Sequence, residues 1–167
     1  MKKLIAAVFA MSLASSAFAA SGFGVEFGTN WYKVNYTDNV GERFLGQGQN
    51  FLVTWTLDND LSLGSYAEAG TWVYDGGSTD DWDLTAIQIA KGIVKNVAIG
   101  TNIGRMYNTW NSDAGMLTDI FGSVVVLGGS GDKVNGSLKA IVSARFTHDS
   151  SYSYNGVNLN LAVGLMF

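Results

Sequence analysis

Residues Val157 to Phe167 read VNLNLAVGLMF and end the chain. Val157, Leu159, Leu161, Val163, Leu165 and Phe167 are apolar and occupy every second position. Asn158, Asn160, Ala162, Gly164 and Met166 fill the gaps with polar, small or flexible groups. A period of two is the mark of a strand with two unlike faces. Eleven residues suit a tilted strand crossing a bilayer, and the strand stops on a bare aromatic. The stretch therefore reads as the closing strand of a membrane barrel.

The opposite end of the chain agrees with an exported protein. Lys2 and Lys3 precede an apolar run from Leu4 to Leu13, and Ala17-Phe18-Ala19 has the small-x-small form of a cleavage site. Residues 1–19 read as a secretory signal peptide, and residues 20–167 as one barrel domain. Of 167 residues, removal of 19 leaves 148, which suits a single domain.

Composition supports a closed sheet. Proline is absent, where an average chain of this length carries about eight. Proline removes a ladder donor and is excluded from paired strands. Glycine, at 21 residues, suits turns and crowded barrel walls. There is no cysteine, so disulfides, zinc thiolates and thiol nucleophiles are excluded. Without Lys2 and Lys3 the chain holds 8 basic and 14 acidic residues, a formal charge of −6, which argues against a nucleic-acid partner. No apolar run after the signal is long enough for a membrane helix. Strands that close on themselves cross a bilayer without one.

Between the two ends the chain divides into seven further alternating segments. The first covers Ser21 to Tyr36 and blurs at Trp31-Tyr32, as at a bulge or an interface. Asp38 to Gln49 reads as a long loop, and Phe51 to Asp58 as the second strand. Leu61 to Tyr74 is the third, Asp75 to Asp81 a loop, and Trp82 to Lys91 the fourth. Gly92 to Asn96 turns into the fifth, which alternates from Val97 to Gly104. Asn108 to Gly115 is a loop. Met116 to Leu127 is the sixth, with Asp119 as the one clear marker of facing. A glycine-rich turn, Gly128 to Gly136, leads to the seventh, Leu138 to Thr147, and Asp149 to Gly156 is a loop before the terminal strand. Eight strands of this length make the smallest bacterial membrane barrel. The expected fold is all-β: an eight-stranded antiparallel up-and-down barrel with short periplasmic turns, longer outer loops and both termini periplasmic. Trp31, Tyr32, Tyr36, Trp72, Tyr74, Trp82, Tyr107 and Phe146 are expected to form an outer aromatic girdle, with Trp55 and Phe167 near the inner one.

In pattern and layout the chain resembles the small eight-stranded outer-membrane proteins of Gram-negative bacteria, such as the barrel of outer membrane protein A and outer membrane protein X. The terminal Leu159, Leu161, Val163, Leu165 and Phe167 look like the assembly signal of that family. The resemblance implies residence in the outer membrane, contact with its lipid and lipopolysaccharide, and recognition by the barrel-assembly machinery. A monomer is expected, and no cofactor.

Several clusters could carry chemistry. Glu26, Glu68, Lys139 and Arg145 fall opposite the apolar stripes, so they belong to the lumen. Buried there, each charge needs a partner. Lys139 and Arg145 could approach Glu26 across a narrow interior. One reading is a polar plug that sets register; the other is a narrow, porin-like ion path. His148, the single histidine, shares the outward parity of Phe146, as does Ser150 if the strand continues. A histidine that activates a serine performs acyl transfer. The stretch Phe146 to Ser150 is similar to the His-x-Ser site of outer-membrane lipid A deacylases. That resemblance makes Ser150 the nucleophile and His148 the base. Here, however, Ser151 replaces the family's following asparagine, and no carboxylate lies beyond Asp149 to orient the imidazole. Asp75, Asp80, Asp81 and Asp83 could bind a divalent cation but lack ordered spacing, so a solvated loop and no metal is the plainer reading. The favoured function is a barrel that supports the envelope or presents loops for adhesion or binding, without catalysis. Lipid A deacylation and passage of small solutes stand as alternatives.

Overall fold

The computed structural model describes residues 22–36, 43–57, 59–74, 77–94, 96–108, 114–130, 135–148 and 153–167. The predicted signal peptide lies outside them. Eight strands follow in order: β1 (Phe23–Tyr36), β2 (Arg43–Thr56), β3 (Leu61–Tyr74), β4 (Thr79–Val94), β5 (Val97–Asn108), β6 (Ala114–Ser130), β7 (Asn135–His148) and β8 (Ser153–Met166). Each pairs antiparallel with its neighbours, and β1 pairs with β8 to close the barrel. Closure leaves no strand edge bare, the condition for a sheet to reside in lipid.

The number, order and pairing of strands match the sequence reading; the boundaries do not. The expected loop at Asp38 to Gln49 begins instead as strand at Arg43, and β4 begins at Thr79. β4 then continues to Val94, with a register shift between Gly92 and Val94 and a tight turn at Asn96 (φ 68°). The glycine-rich turn shrinks because β6 runs to Ser130 and β7 starts at Asn135. β5 reaches Asn108, β6 starts at Ala114, and β8 starts at Ser153, three residues before the expected end of its loop. Polar residues and glycines make up most of these extensions, with Phe44, Leu45, Ile93 and Val94 among the exceptions. They are strand because the sheet extends beyond the apolar belt, where an outward polar side chain meets water. The expected contrast in loop length is correspondingly small. Connections at the end that holds the termini span 57–60, 95–96 and 131–134; those at the other end span 37–42, 75–78, 109–113 and 149–152.

Register sets the barrel's dimensions. The ladder row that starts at Phe23 runs through Trp55, Leu63, Ile89, Thr101, Ile120, Ala144 and Val157 and returns to β1 at Lys33. The displacement is 33 − 23 = 10 residues. With the usual strand spacings it corresponds to a tilt of about 41° and a rise of about 2.5 Å per residue along the axis. From Val157 to Phe167 the chain therefore climbs about 25 Å, the height of the apolar band on an outer-membrane barrel. All six apolar residues of that stretch face outward and are exposed, as are Phe27, Ile87, Ile99, Ile103, Ile120 and Val142 around the wall. An uninterrupted ladder crosses Trp31 and Tyr32, with Trp31 outside and Tyr32 inside, so no bulge lies there. β6 resolves the same way: Leu117, Asp119 and Phe121 are buried, while Met116 and Ile120 are exposed.

Candidate functional site in the barrel lumen

Each strand sends alternate residues inward, and the lumen is filled in three levels. The level nearest the termini is a cavity of about 80 Å³. Thr54, Thr56, Ser62, Gln88 and Ser123 line it with polar groups, and the ion pair of Lys139 and Glu26 borders it. Glu26 on β1 and Lys139 on β7 are each one strand from β8, where Glu26 is opposite Gly164 and Lys139 is opposite Ala162. A Cβ at Gly164 would stand 3.1 Å from Glu26 Cγ, so a glycine there leaves the Glu26 side chain its room on the way to Lys139. Lys139 is the more exposed partner, at 23% of its side chain.

The middle level is built on Arg145. Its Nη1 and Nη2 donate to Glu68 Oε1 and Oε2 at 2.6 and 2.9 Å. Nε and Nη2 donate to Asp119 Oδ1 and Oδ2 at 2.8 and 3.0 Å. The planar fork of a guanidinium matches two carboxylates in this way, and an ammonium could not. Arg145 and Asp119 are opposite one another across β6 and β7, whereas Glu68 reaches over from β3. Tyr66 donates its hydroxyl to Glu68. Asn102 Nδ2 contacts Asp119 Oδ2 at 3.4 Å, and Gln88 Nε2 donates to Asn102 Oδ1 at 3.0 Å. Arg145, Glu68 and Asp119 are at most 1% exposed.

An aromatic level covers the guanidinium on the side away from the termini. The Arg145 Cζ lies 4.8 Å from the centre of the Tyr32 ring and 5.7 Å from that of Trp82. Tyr32 and Trp72 are 4.9 Å apart, Trp72 and Trp82 5.2 Å. Leu84, Met106 and Leu117 complete the layer. Both indoles lie against glycines in the wall. A Cβ at Gly46 would stand 2.5 Å from the Trp72 ring, and one at Gly70 2.5 Å from the Trp82 ring. The expected girdle is corrected accordingly. Tyr32, Trp72 and Trp82 are luminal, each 1% exposed, because their parity is even with Asn30, Gly70 and Leu84. Trp31, Tyr107 and Phe146 do face outward.

All four charged residues assigned to the lumen from sequence thus line it. Their pairing differs in part from the expectation: Lys139 takes Glu26, while Arg145 takes Glu68 and Asp119. From sequence Asp119 serves only as a marker of facing. Its role was latent in the alternation of β6, whose two apolar faces hid which side was inside.

His148 ends β7 on the outward face and is exposed. In the ladder it lies between Met116 and Ser153. Ser150, Ser151 and Asp149 lie outside the described residues, and β7 stops two positions before Ser150. The acidic group is split by strand parity. Asp80 is buried in the lumen, Asp81 is exposed and accepts a hydrogen bond from Thr71 Oγ1 at 2.8 Å, and Asp83 is half-buried on the outer side. Asp75 lies outside the described residues. Among the described residues no three metal-ligating side chains converge.

Comparison with known proteins locates the fold. No protein-family model and no curated protein matches the chain. Several solved structures do, two surface barrels among them. Neisserial surface protein A is 10% identical with a TM-score of 0.54, over 88% of this chain and 98% of that one. Ail, the attachment invasion locus protein of Yersinia pestis, is 11% identical with a TM-score of 0.50, over 89% of this chain and 100% of that one. Nearly the whole of each neighbour is matched, so the likeness is of complete barrels. The chain has the fold of the small eight-stranded outer-membrane β-barrels.

Proposed function

We propose that this protein is a non-catalytic integral component of the bacterial outer membrane, with both termini in the periplasm and four inter-strand connections presented at the cell surface for adhesion or binding. The observation that carries the reading is the sealed lumen. Arg145 with its two carboxylates and the Tyr32–Trp72–Trp82 layer fill the cross-section with side chains that are at most 1% exposed. A barrel filled in this way serves as a rigid mount, and what varies is at its rim. The printed names of the two structural neighbours, a surface protein and an attachment invasion locus protein, support the same reading. Outer-membrane lipid and lipopolysaccharide are the surroundings proposed for the apolar belt. The barrel-assembly machinery is the proposed reader of Leu159, Leu161, Val163, Leu165 and Phe167.

Absence of native cysteine makes the orientation directly testable. An Asn111→Cys variant reacts with a membrane-impermeant thiol reagent on intact cells, and an Asn96→Cys variant does not. Adhesion is tested with the same cells: bacteria that carry the protein bind a host-cell monolayer several-fold more than bacteria without it. Labelling of Asn96→Cys instead of Asn111→Cys overturns the topology, and equal binding overturns adhesion.

One observation favours a second reading. His148 stands exposed on the outer wall just above Phe146, where a lipid headgroup would lie. Acyl transfer from lipid A through His148 and Ser150 would use that position. The favoured reading expects the acyl pattern of lipid A, read by mass spectrometry, to be the same with the wild type, with His148→Ala and with no protein.

A further inference from the structure

One sector of the lumen wall carries four asparagines: Asn30 on β1, Asn50 on β2, and Asn158 and Asn160 on β8. Register gathers them. Asn30 is opposite Asn160, and Gly28 is opposite Asn50 on its other side. All four are 5% exposed or less. Both amide atoms of Asn30, Nδ2 of Asn50, and Oδ1 of Asn158 and Asn160 find no hydrogen-bond partner among the described residues. A buried polar group without a partner is costly, and a concentration of them marks a place for a polar guest. The amides also converge. A Cβ built on Gly28 would lie 2.4 Å from Asn160 Oδ1 and 2.6 Å from Asn50 Oδ1, so two carbonyl oxygens face one point over a residue without a side chain. Asn50 Nδ2 lies 3.0 Å from the same point, and carbonyl oxygens that converge in this way are the donor atoms of an alkali-cation site.

The charge of the middle level identifies the guest. Among the described residues, Glu68 and Asp119 share one paired cation, Arg145, since Lys139 is committed to Glu26. The level is left with one net negative charge, and Asn50 is the ladder neighbour of Glu68. We propose that the asparagine cluster binds one monovalent cation, sodium or potassium, which neutralises the buried layer. Neutral carbonyl oxygens are hard ligands suited to such ions. A divalent ion would reverse the sign of the layer, and it would want carboxylates that Arg145 already holds.

The test is the temperature of half-unfolding of the purified barrel in zwitterionic detergent, in sodium, potassium or tetramethylammonium chloride at equal ionic strength. Sodium or potassium raises it by about 3–6 °C for each tenfold increase in concentration above half-saturation, and the bulky tetramethylammonium ion does not. The dependence disappears in Asp119→Asn, which removes the net charge, and in Asn160→Ala, which removes a ligand. Thr56→Val, in the cavity near the termini, retains it. Equal temperatures in all three salts overturn the proposal, as does a sodium or potassium dependence that survives in Asn160→Ala. Should Asp119→Asn fail to fold, Asn160→Ala and the salt series decide alone.

Discussion

Arg145 is a residue whose worth depends wholly on its partners. Removing two carboxylates and a guanidinium from water costs several kcal/mol per ion, and only good geometry offsets it. Four hydrogen bonds of 2.6–3.0 Å supply that geometry. Arg145→Met leaves Glu68 and Asp119 buried without a cation, and should destabilise the barrel by about 3–5 kcal/mol. Its denaturant midpoint in detergent, compared with the wild type, measures the loss. Arg145→Lys should recover little, because an ammonium cannot bridge two carboxylates in one plane. The glycines under the indoles give a second prediction. Gly70→Ala places a methyl where the Trp82 ring lies. The expected cost is about 1–3 kcal/mol, with a change in tryptophan fluorescence as the displaced ring moves.

At the scale of the strand, the terminal eleven residues span the apolar belt from one edge to the other. Depth therefore decides what a charge costs there. Leu161 lies near mid-height, and Leu161→Arg should lower the stability of the barrel folded in lipid vesicles by about 2–4 kcal/mol. Val157 is at the upper edge, so Val157→Arg should cost at most about 1 kcal/mol. Equal costs at the two positions would show that the belt does not begin and end where the register places it. β2 and β4 teach the converse lesson about reading strands. Their upper halves carry Gln47, Gln49, Asp81 and Asp83, a composition that suits loops, yet Gln47, Gln49 and Asp83 are laddered to both neighbours and Asp81 to β3. Period and polarity report where lipid ends; hydrogen bonding continues past it.

The whole molecule is a ring whose interior is packed at two of its three levels. No continuous water path follows from this arrangement, and planar bilayers that hold the purified protein should show no stable conductance at neutral pH. Repeated single-channel steps would revive the solute-passage reading and demand that the Arg145 pairs and the indole layer move together. The cavity near the termini is a blind vestibule on this account. A thiol reagent should reach Ser62→Cys from that end and leave Leu117→Cys unmodified.

The sequence by itself determined the eight strands, their up-and-down order, the outward stripe and the luminal placement of Glu26, Glu68, Lys139 and Arg145. Those properties are one-dimensional: a period of two assigns each residue to a face without reference to any other strand. Which inward residues meet is a different kind of fact. Arg145 and Glu68 are 77 positions apart, and Lys139 and Glu26 are 113 apart. They come together only because the sheet closes with a ten-residue displacement, which sets the height of every side chain on the axis. Tyr32, Trp72 and Trp82 show the same limit. Their inward parity is one-dimensional, but only closure brings the three rings from β1, β3 and β4 together over Arg145.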